Sequence, residues 1–254
     1  MTRIIGIVSG KGGVGKTTFA VNLSIALSRF EKKVLVIDCN ISTPHVAYYL
    51  GAESYSINLS NVFKGEVDVK FAPTSHHGVM FIPASENLKD MEIDFENLKI
   101  YVLKLAKKGA FDFIFLDSAP GLGNEAVSVL KAAEEILFVT TPAVPNITDM
   151  VRCAEFLNNL EHKEMRIVFN KVRKTDSEMK MQDAKDFFRV PILGAIPFSE
   201  DVMDSTSLGM PMFQYKPNSI ICEHFMKIAA NLIGVPYENS SNLKKFFGKF
   251  KRRK

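Results

Sequence analysis

The chain has no tryptophan and only three cysteines, Cys39, Cys153 and Cys222, in 254 residues. An odd number of widely separated thiols with no C-x-x-C pair excludes a disulfide framework and a cysteine-rich metal centre. They read as small buried hydrophobes of a reducing compartment. No apolar run approaches the ~18 residues of a membrane span. Ile4–Val8 is too short and wrongly flanked for a secretory signal, so a cytoplasmic protein is expected. Internal repeats are absent, as are low-complexity stretches ahead of the final residues. The His76-His77 pair has no acid or cysteine cluster to match it, which makes it a solvated loop rather than a metal site.

With 46% hydrophobic and 24% charged residues, the chain suffices for one sizeable α/β core but not for two independent ones. Seven short apolar runs read as buried strands: Ile4–Val8, Val34–Asp38, Val79–Pro83, Phe113–Asp117, Ile136–Thr141, Met165–Asn170 and Ile192–Ile196. Between them Thr18–Phe30, Phe95–Lys108, Glu125–Ala133, Asp149–Leu160, Met179–Phe188 and Ser219–Ile233 carry helical spacing. The alternation predicts a three-layer α/β fold, a mostly parallel twisted sheet of about seven strands with helices on both faces. Ligands in such sheets sit at the carboxyl ends of the strands.

At that edge, immediately after the first strand, stands Gly10-Lys11-Gly12-Gly13-Val14-Gly15-Lys16-Thr17-Thr18. The glycines let the backbone bend into positive φ and bring consecutive N–H groups close to a phosphate chain. Lys16 supplies charge at the terminal phosphates, Thr17 a hydroxyl for Mg²⁺, and the helix that follows an N-terminus for the anion. Asp38 and Asp117 each close an apolar strand at the same edge, placed to hold the metal directly or through water together with Thr17. Each also reads as an ordinary strand-end turn residue. Asn170-Lys171-Val172-Arg173 bears on the base. Guanine-specific sites use Asn-Lys-x-Asp, whose carboxylate accepts from two guanine donors, and Arg173 offers only donors, so ATP is favoured. A cap after a strand is the plain alternative for Asn170.

The loop with its extra lysine resembles the deviant P-loop ATPases of the ParA/MinD group, MinD-like members above all, and later landmarks fall in order along nearly the whole chain. The resemblance implies a homodimer in the ATP state, in which Lys11 reaches the nucleotide of the other subunit. It makes Asp117-Ser118-Ala119-Pro120-Gly121 a second switch, with Gly121 as pivot, and pairs Asn170 with the adenine edge. Thr140-Thr141-Pro142 and Ile196-Pro197 match family positions near the nucleotide. Catalysis would then rest on Lys11, Lys16, Asp38 and the first-switch residue Asn40. There the chain departs, since MinD-like proteins commonly show Asp-x-Asp where this one reads Asp38-Cys39-Asn40. Asparagine cannot act as a base but can orient water, so slow hydrolysis is expected, with an unidentified protein partner or activator.

Charge is uneven. Leu243–Lys254 carries seven basic side chains and no acid, so removing those seven from the overall +4 leaves residues 1–242 at −3. The expected organisation is an ATPase domain over 1–235, a polar linker over 236–242 and a tail over 243–254. Leu243, Phe246, Phe247 and Phe250 share one helical face, with Lys244, Lys245 and Lys249 around it, the pattern of an interfacial helix on anionic lipid. Gly248 weakens that helix in water by about 1 kcal/mol, so it is expected to order on a surface. MinD-like proteins likewise end in a short membrane-targeting helix, which implies a peripheral place on the inner face of the cell membrane. A plain basic tail and a polyanion contact are the other readings of this segment. A partitioning ATPase on nucleic acid is the alternative function. It expects a DNA-binding segment ahead of the loop strand, where the sequence has none, and nucleic acid is therefore not expected as a partner. The related metal-cluster carriers need a cysteine pair that is missing.

Overall fold

The computed structural model describes all residues except 53, 88, 91–94, 159–162, 189 and 238–254. Eight strands form one sheet: β1 (Arg3–Val8), β2 (Val34–Cys39), β3 (Thr74–His76), β4 (Val79–Ile82), β5 (Phe113–Ser118), β6 (Glu135–Thr140), β7 (Glu164–Val172) and β8 (Ile192–Pro197). Their order is β3-β4-β2-β5-β1-β6-β7-β8, parallel throughout except for the β3–β4 hairpin. β2 and β5 are buried at every residue, because helices cover both faces, and so read as continuous apolar runs rather than alternations.

The α-helices among the described residues are α1 (Lys16–Ser28), α2 (Val46–Leu50), α3 (Leu59–Phe63), α4 (Leu98–Lys107), α5 (Asn124–Ala132), α6 (Val144–Asn158), α7 (Met181–Phe188), α8 (Glu200–Ser207), α9 (Met212–Tyr215) and α10 (Ile220–Ile233). On one face Phe19 and Leu23 of α1 pack with Phe225 and Ile228 of α10. On the other, Val102 of α4, Val129 of α5 and Met150 of α6 form a second core. The close fit of β1 under α5 needs Gly6, where a Cβ would meet Ala133, Ile136 and Val129 at 3.1–3.2 Å. At the opposite edge from the site, Glu135 of β6 joins Arg3 and Arg166. Burial pushes its carboxyl up, but the two guanidinium groups outweigh it and hold Glu135 below the usual range.

The eighth strand is the addition to the expected seven. β3 is three polar residues without an apolar alternation, held only by pairing to β4 through a turn whose residues His77 and Gly78 both take positive φ, 49° and 76°. That is the turn geometry that suits a two-residue hairpin. His76 therefore closes an edge strand rather than lying in a loop. Among the described residues no group of three or more His, Cys, Asp or Glu could hold a metal, and no helix is long and apolar enough to cross a membrane. All three cysteines are free and buried. The expected tail, Leu243–Lys254, and most of the linker lie outside the described residues.

Candidate functional site

Between β1 and α1 the loop folds as its glycines require. Gly13 and Gly15 take φ of 78° and 92°, and Gly15 is the N-cap of α1 without a side-chain cap, so the first N–H groups of the helix are open to an anion. Gly10 answers a different constraint, a Cβ there falling 2.4 Å from the backbone carbonyl carbon of Asp149 in α6. Neighbouring segments brace the loop. Ser9 Oγ donates to Lys11 O at 2.7 Å, Gly121 N–H to Ser9 O at 2.9 Å, and Lys171 Nζ to Gly13 O at 2.7 Å. Lys16 is 7% exposed, and burial lowers its pKa against the opposing charge of Asp117. Lys11 is exposed, and among the described residues no hydrogen bond or ion pair fixes its ammonium.

Asp38 and Asp117 are direct neighbours across the β2–β5 pair, both fully buried. Their surroundings differ. Asp38 accepts three backbone N–H groups, from Asn40 at 3.1 Å and from His45 and Val46 at 3.0 Å each, and so pins the loop between β2 and α2. Neither oxygen of Asp117 has a hydrogen-bond partner within normal distance. Burial pushes both carboxyls well above the carboxylate range. For Asp38 the charge of Asp117 adds to that and the N–H donors oppose it; for Asp117 the nearby Thr17 hydroxyl and Lys16 ammonium oppose it. Two buried, partnerless oxygens beside a hydroxyl are the hard oxygen set that Mg²⁺ takes, so Asp117 and Thr17 fit that ion. Asp38 has most of its lone pairs engaged by the backbone of the loop it holds.

Asn40, 8% exposed, donates its amide nitrogen to Thr43 O at 2.8 Å and Thr43 Oγ1 at 2.9 Å, while its Oδ1 is buried without a partner. The phosphate loop opens into a cleft of about 750 Å³ that continues past Asn40 and Asn170 to Arg173, Pro197 and Phe198. Asn170 donates its amide nitrogen to Val14 O at 2.8 Å, which leaves its carbonyl oxygen as the acceptor a purine amine requires. Arg173 lies over the Phe198 ring with its guanidinium carbon 4.0 Å from the centroid. Its backbone N–H is held by both oxygens of Glu178, at 3.0 Å each. Phe198 and Glu178 were not foreseen. An aromatic directly after the last strand is the signal that marks Phe198; nothing local marks Glu178.

A braced glycine-rich loop that carries a buried lysine, with two acids at the carboxyl edge of a mostly parallel sheet, defines a P-loop nucleoside triphosphatase. The family profile ParA, described as NUBPL iron-transfer P-loop NTPase, matches residues 1–233. The chain is 31% identical to the septum site-determining protein MinD of Thermotoga maritima, over 99% of this chain and all of that one. It is 30% identical to an uncharacterized ATP-binding protein of Methanocaldococcus jannaschii, covering 98% and 96%. Among solved structures it is similar to MinD from Pyrococcus horikoshii complexed with Mg-ADP, with a TM-score of 0.85 and 31% identity over 91% of this chain and 96% of that one. The chain therefore belongs to the ParA family of P-loop NTPases and stands within it beside the proteins named MinD.

Proposed function

We propose that this protein is an ATP-dependent dimerising ATPase that binds Mg²⁺, attaches peripherally to the inner face of the cell membrane and recruits or positions a protein partner there, as in division-site selection. The observation that carries the reading is the contrast between two lysines of one loop: Lys16 is buried against Asp117, while Lys11 stands exposed at the rim, free to reach a neighbouring molecule. The loop N–H groups from Gly10 to Thr18 and Lys16 hold the phosphates; Thr17 and Asp117 hold the metal, and Asp38 supports them. Pro120 and Gly121 follow the terminal phosphate. Gly121, at φ 77°, is bonded through its N–H to Ser9 at the start of the loop and so senses what the loop holds. When bound, Mg²⁺ neutralises the charge that develops on the transferred phosphoryl group. On the base, the Asn170 carbonyl oxygen accepts from the adenine amine, and Phe198 with Arg173 offers a stacking face.

The tail from Leu243 to Lys254 supplies the membrane contact. One amphipathic segment of this size binds reversibly. Two held together by ATP gain avidity of about 10² to 10⁴, which couples attachment to nucleotide state. The test is sedimentation of the full chain with Mg-ATP and with Mg-ADP, joined to flotation with anionic vesicles. Dimers and flotation are expected with ATP only. Lys11→Ala is expected to stay monomeric, and deletion of 243–254 to dimerise without floating. A strictly monomeric ATP form, or retention on DNA rather than on vesicles, overturns the reading.

Asn40 sets the rate. Its amide orients water without taking a proton, so turnover is slow and the ATP dimer long-lived. Asn40→Asp is expected to raise phosphate release about a hundredfold, the lower end of general-base assistance. An unchanged turnover number refutes the assignment of this position as rate-limiting.

A further inference from the structure

The loop from Asn40 to His45 is held at its base by Asp38 and stiffened inside by the Asn40–Thr43 bonds. Its outer edge has a third hold. Ser42 Oγ donates to Glu125 Oε1 at 2.8 Å, reaching the first turn of α5 across 83 positions of sequence. α5 follows directly on the segment containing Pro120 and Gly121, so a shift of that segment moves Glu125 with the helix end. Ser42 and Glu125 both line a second cleft of about 790 Å³, which shares Asn40, Thr43 and Pro120 with the nucleotide cleft. Two oxygens of its lining residues are buried without a donor, Asn40 Oδ1 and Glu125 Oε2. Such orphaned acceptors carry a desolvation cost that a static core has no reason to retain.

We propose that the Ser42–Glu125 bond is a clasp coupling the two switch segments, and that Glu125 is a positioning residue for hydrolysis. The inference rests on the ATPase reading and deepens it. Glu125 acts through Ser42. The clasp sets the loop, Thr43 holds the Asn40 amide nitrogen, and the unpartnered Oδ1 is the atom of that amide left to hold an attacking water. An asparagine contributes by orientation alone, so its catalytic value depends on how firmly the loop is fixed. An aspartate at the same position would depend on it less.

Ser42→Ala and Glu125→Ala break the bond, and Ser42→Thr keeps it. In the nucleotide-free full chain, backbone amides of residues 40–46 are expected to exchange about tenfold faster in each alanine variant and at the wild-type rate in Ser42→Thr, the loss of one charge-assisted hydrogen bond. With Mg-ATP, kcat is expected to fall about tenfold with KM unchanged, and the double alanine variant to be no slower than either single one. Unchanged exchange in the alanine variants, or losses in kcat that multiply in the double variant, overturns the clasp. Failure of the wild type to bind nucleotide counts against the ATPase reading instead, and the exchange experiment on the apo protein still decides the clasp.

Discussion

Asp117→Asn is expected to do two opposite things: to raise the melting temperature of the nucleotide-free protein and to abolish magnesium-dependent hydrolysis. The carboxylate is fully buried and neither oxygen has a partner. A neutral amide costs less to desolvate than a charge, so the substitution should stabilise the apo fold by about 1–3 kcal/mol, a rise in Tm of about 2–12 °C for a chain of this size. Loss of the metal contact removes several kcal/mol of transition-state stabilisation, and turnover should fall about a thousandfold or more. Magnesium should also lose its ability to raise the Tm of the nucleotide complex.

The pH dependence carries the same sign. Burial raises the folded pKa of Asp117 above that of the unfolded chain. Its contribution to apo stability is therefore complete below the unfolded carboxylate pKa and is lost as pH climbs through the folded value. Wild-type apo protein should soften across the mildly acidic range, and Asp117→Asn should soften less. Asp38 shares the direction of shift but not the outcome of substitution, since Asp38→Asn disturbs three backbone N–H bonds that hold the loop before α2 and should lower the Tm. Scanning calorimetry of both variants from pH 5 to 8 checks this. An apo Asp117→Asn that melts below wild type refutes the reading of its carboxylate as a charge that Lys16 and Thr17 compensate only in part and that is held for the metal.

That difference between two acids marks how far the sequence could be read. Both close an apolar run, and both were legible as carboxylates at the working edge. What separates them is how residues 40–46 fold back over β2, which no local pattern states. The six expected helices were legible to within about five residues, and those errors have local causes, but the short α2, α3, α8 and α9 lie in segments where no helix was expected. α1 begins at Lys16 rather than Thr18 because the left-handed Gly15 starts it early. α6 begins at Val144, five residues before the expected Asp149, because Pro145 is tolerated in a first turn. β3 went unseen because Thr74-Ser75-His76 has no apolar side chain to alternate. Asn170 was legible as a site residue, but its bond to Val14 spans 156 positions and appears only in the folded chain. Glu125 carried no motif at all.

Gly10→Ala should destroy nucleotide binding and the fold of the loop together, and Gly12→Ala separates that effect from the general cost of adding a methyl group to a phosphate loop. At Gly10 the added carbon would sit 2.4 Å from the Asp149 carbonyl carbon and 2.5 Å from its oxygen. Backbone meets backbone there, so no rotamer change relieves the overlap, and either the loop or the start of α6 has to move. Overpacking of this kind costs about 3 kcal/mol, or roughly 6–12 °C in Tm. The displaced N–H groups no longer converge on the phosphates, and ATP affinity should drop about a hundredfold or more. At Gly12 the nearest atom to an added Cβ is Pro120 Cγ at 3.8 Å, ordinary contact, and the apo Tm should stay within about 1 °C of wild type. If the two variants melt alike, or if Gly10→Ala binds ATP as wild type does, the close approach of α6 does not govern the loop. If they separate as expected, the first glycine of the motif is required by a helix far along the chain rather than by the phosphate it precedes.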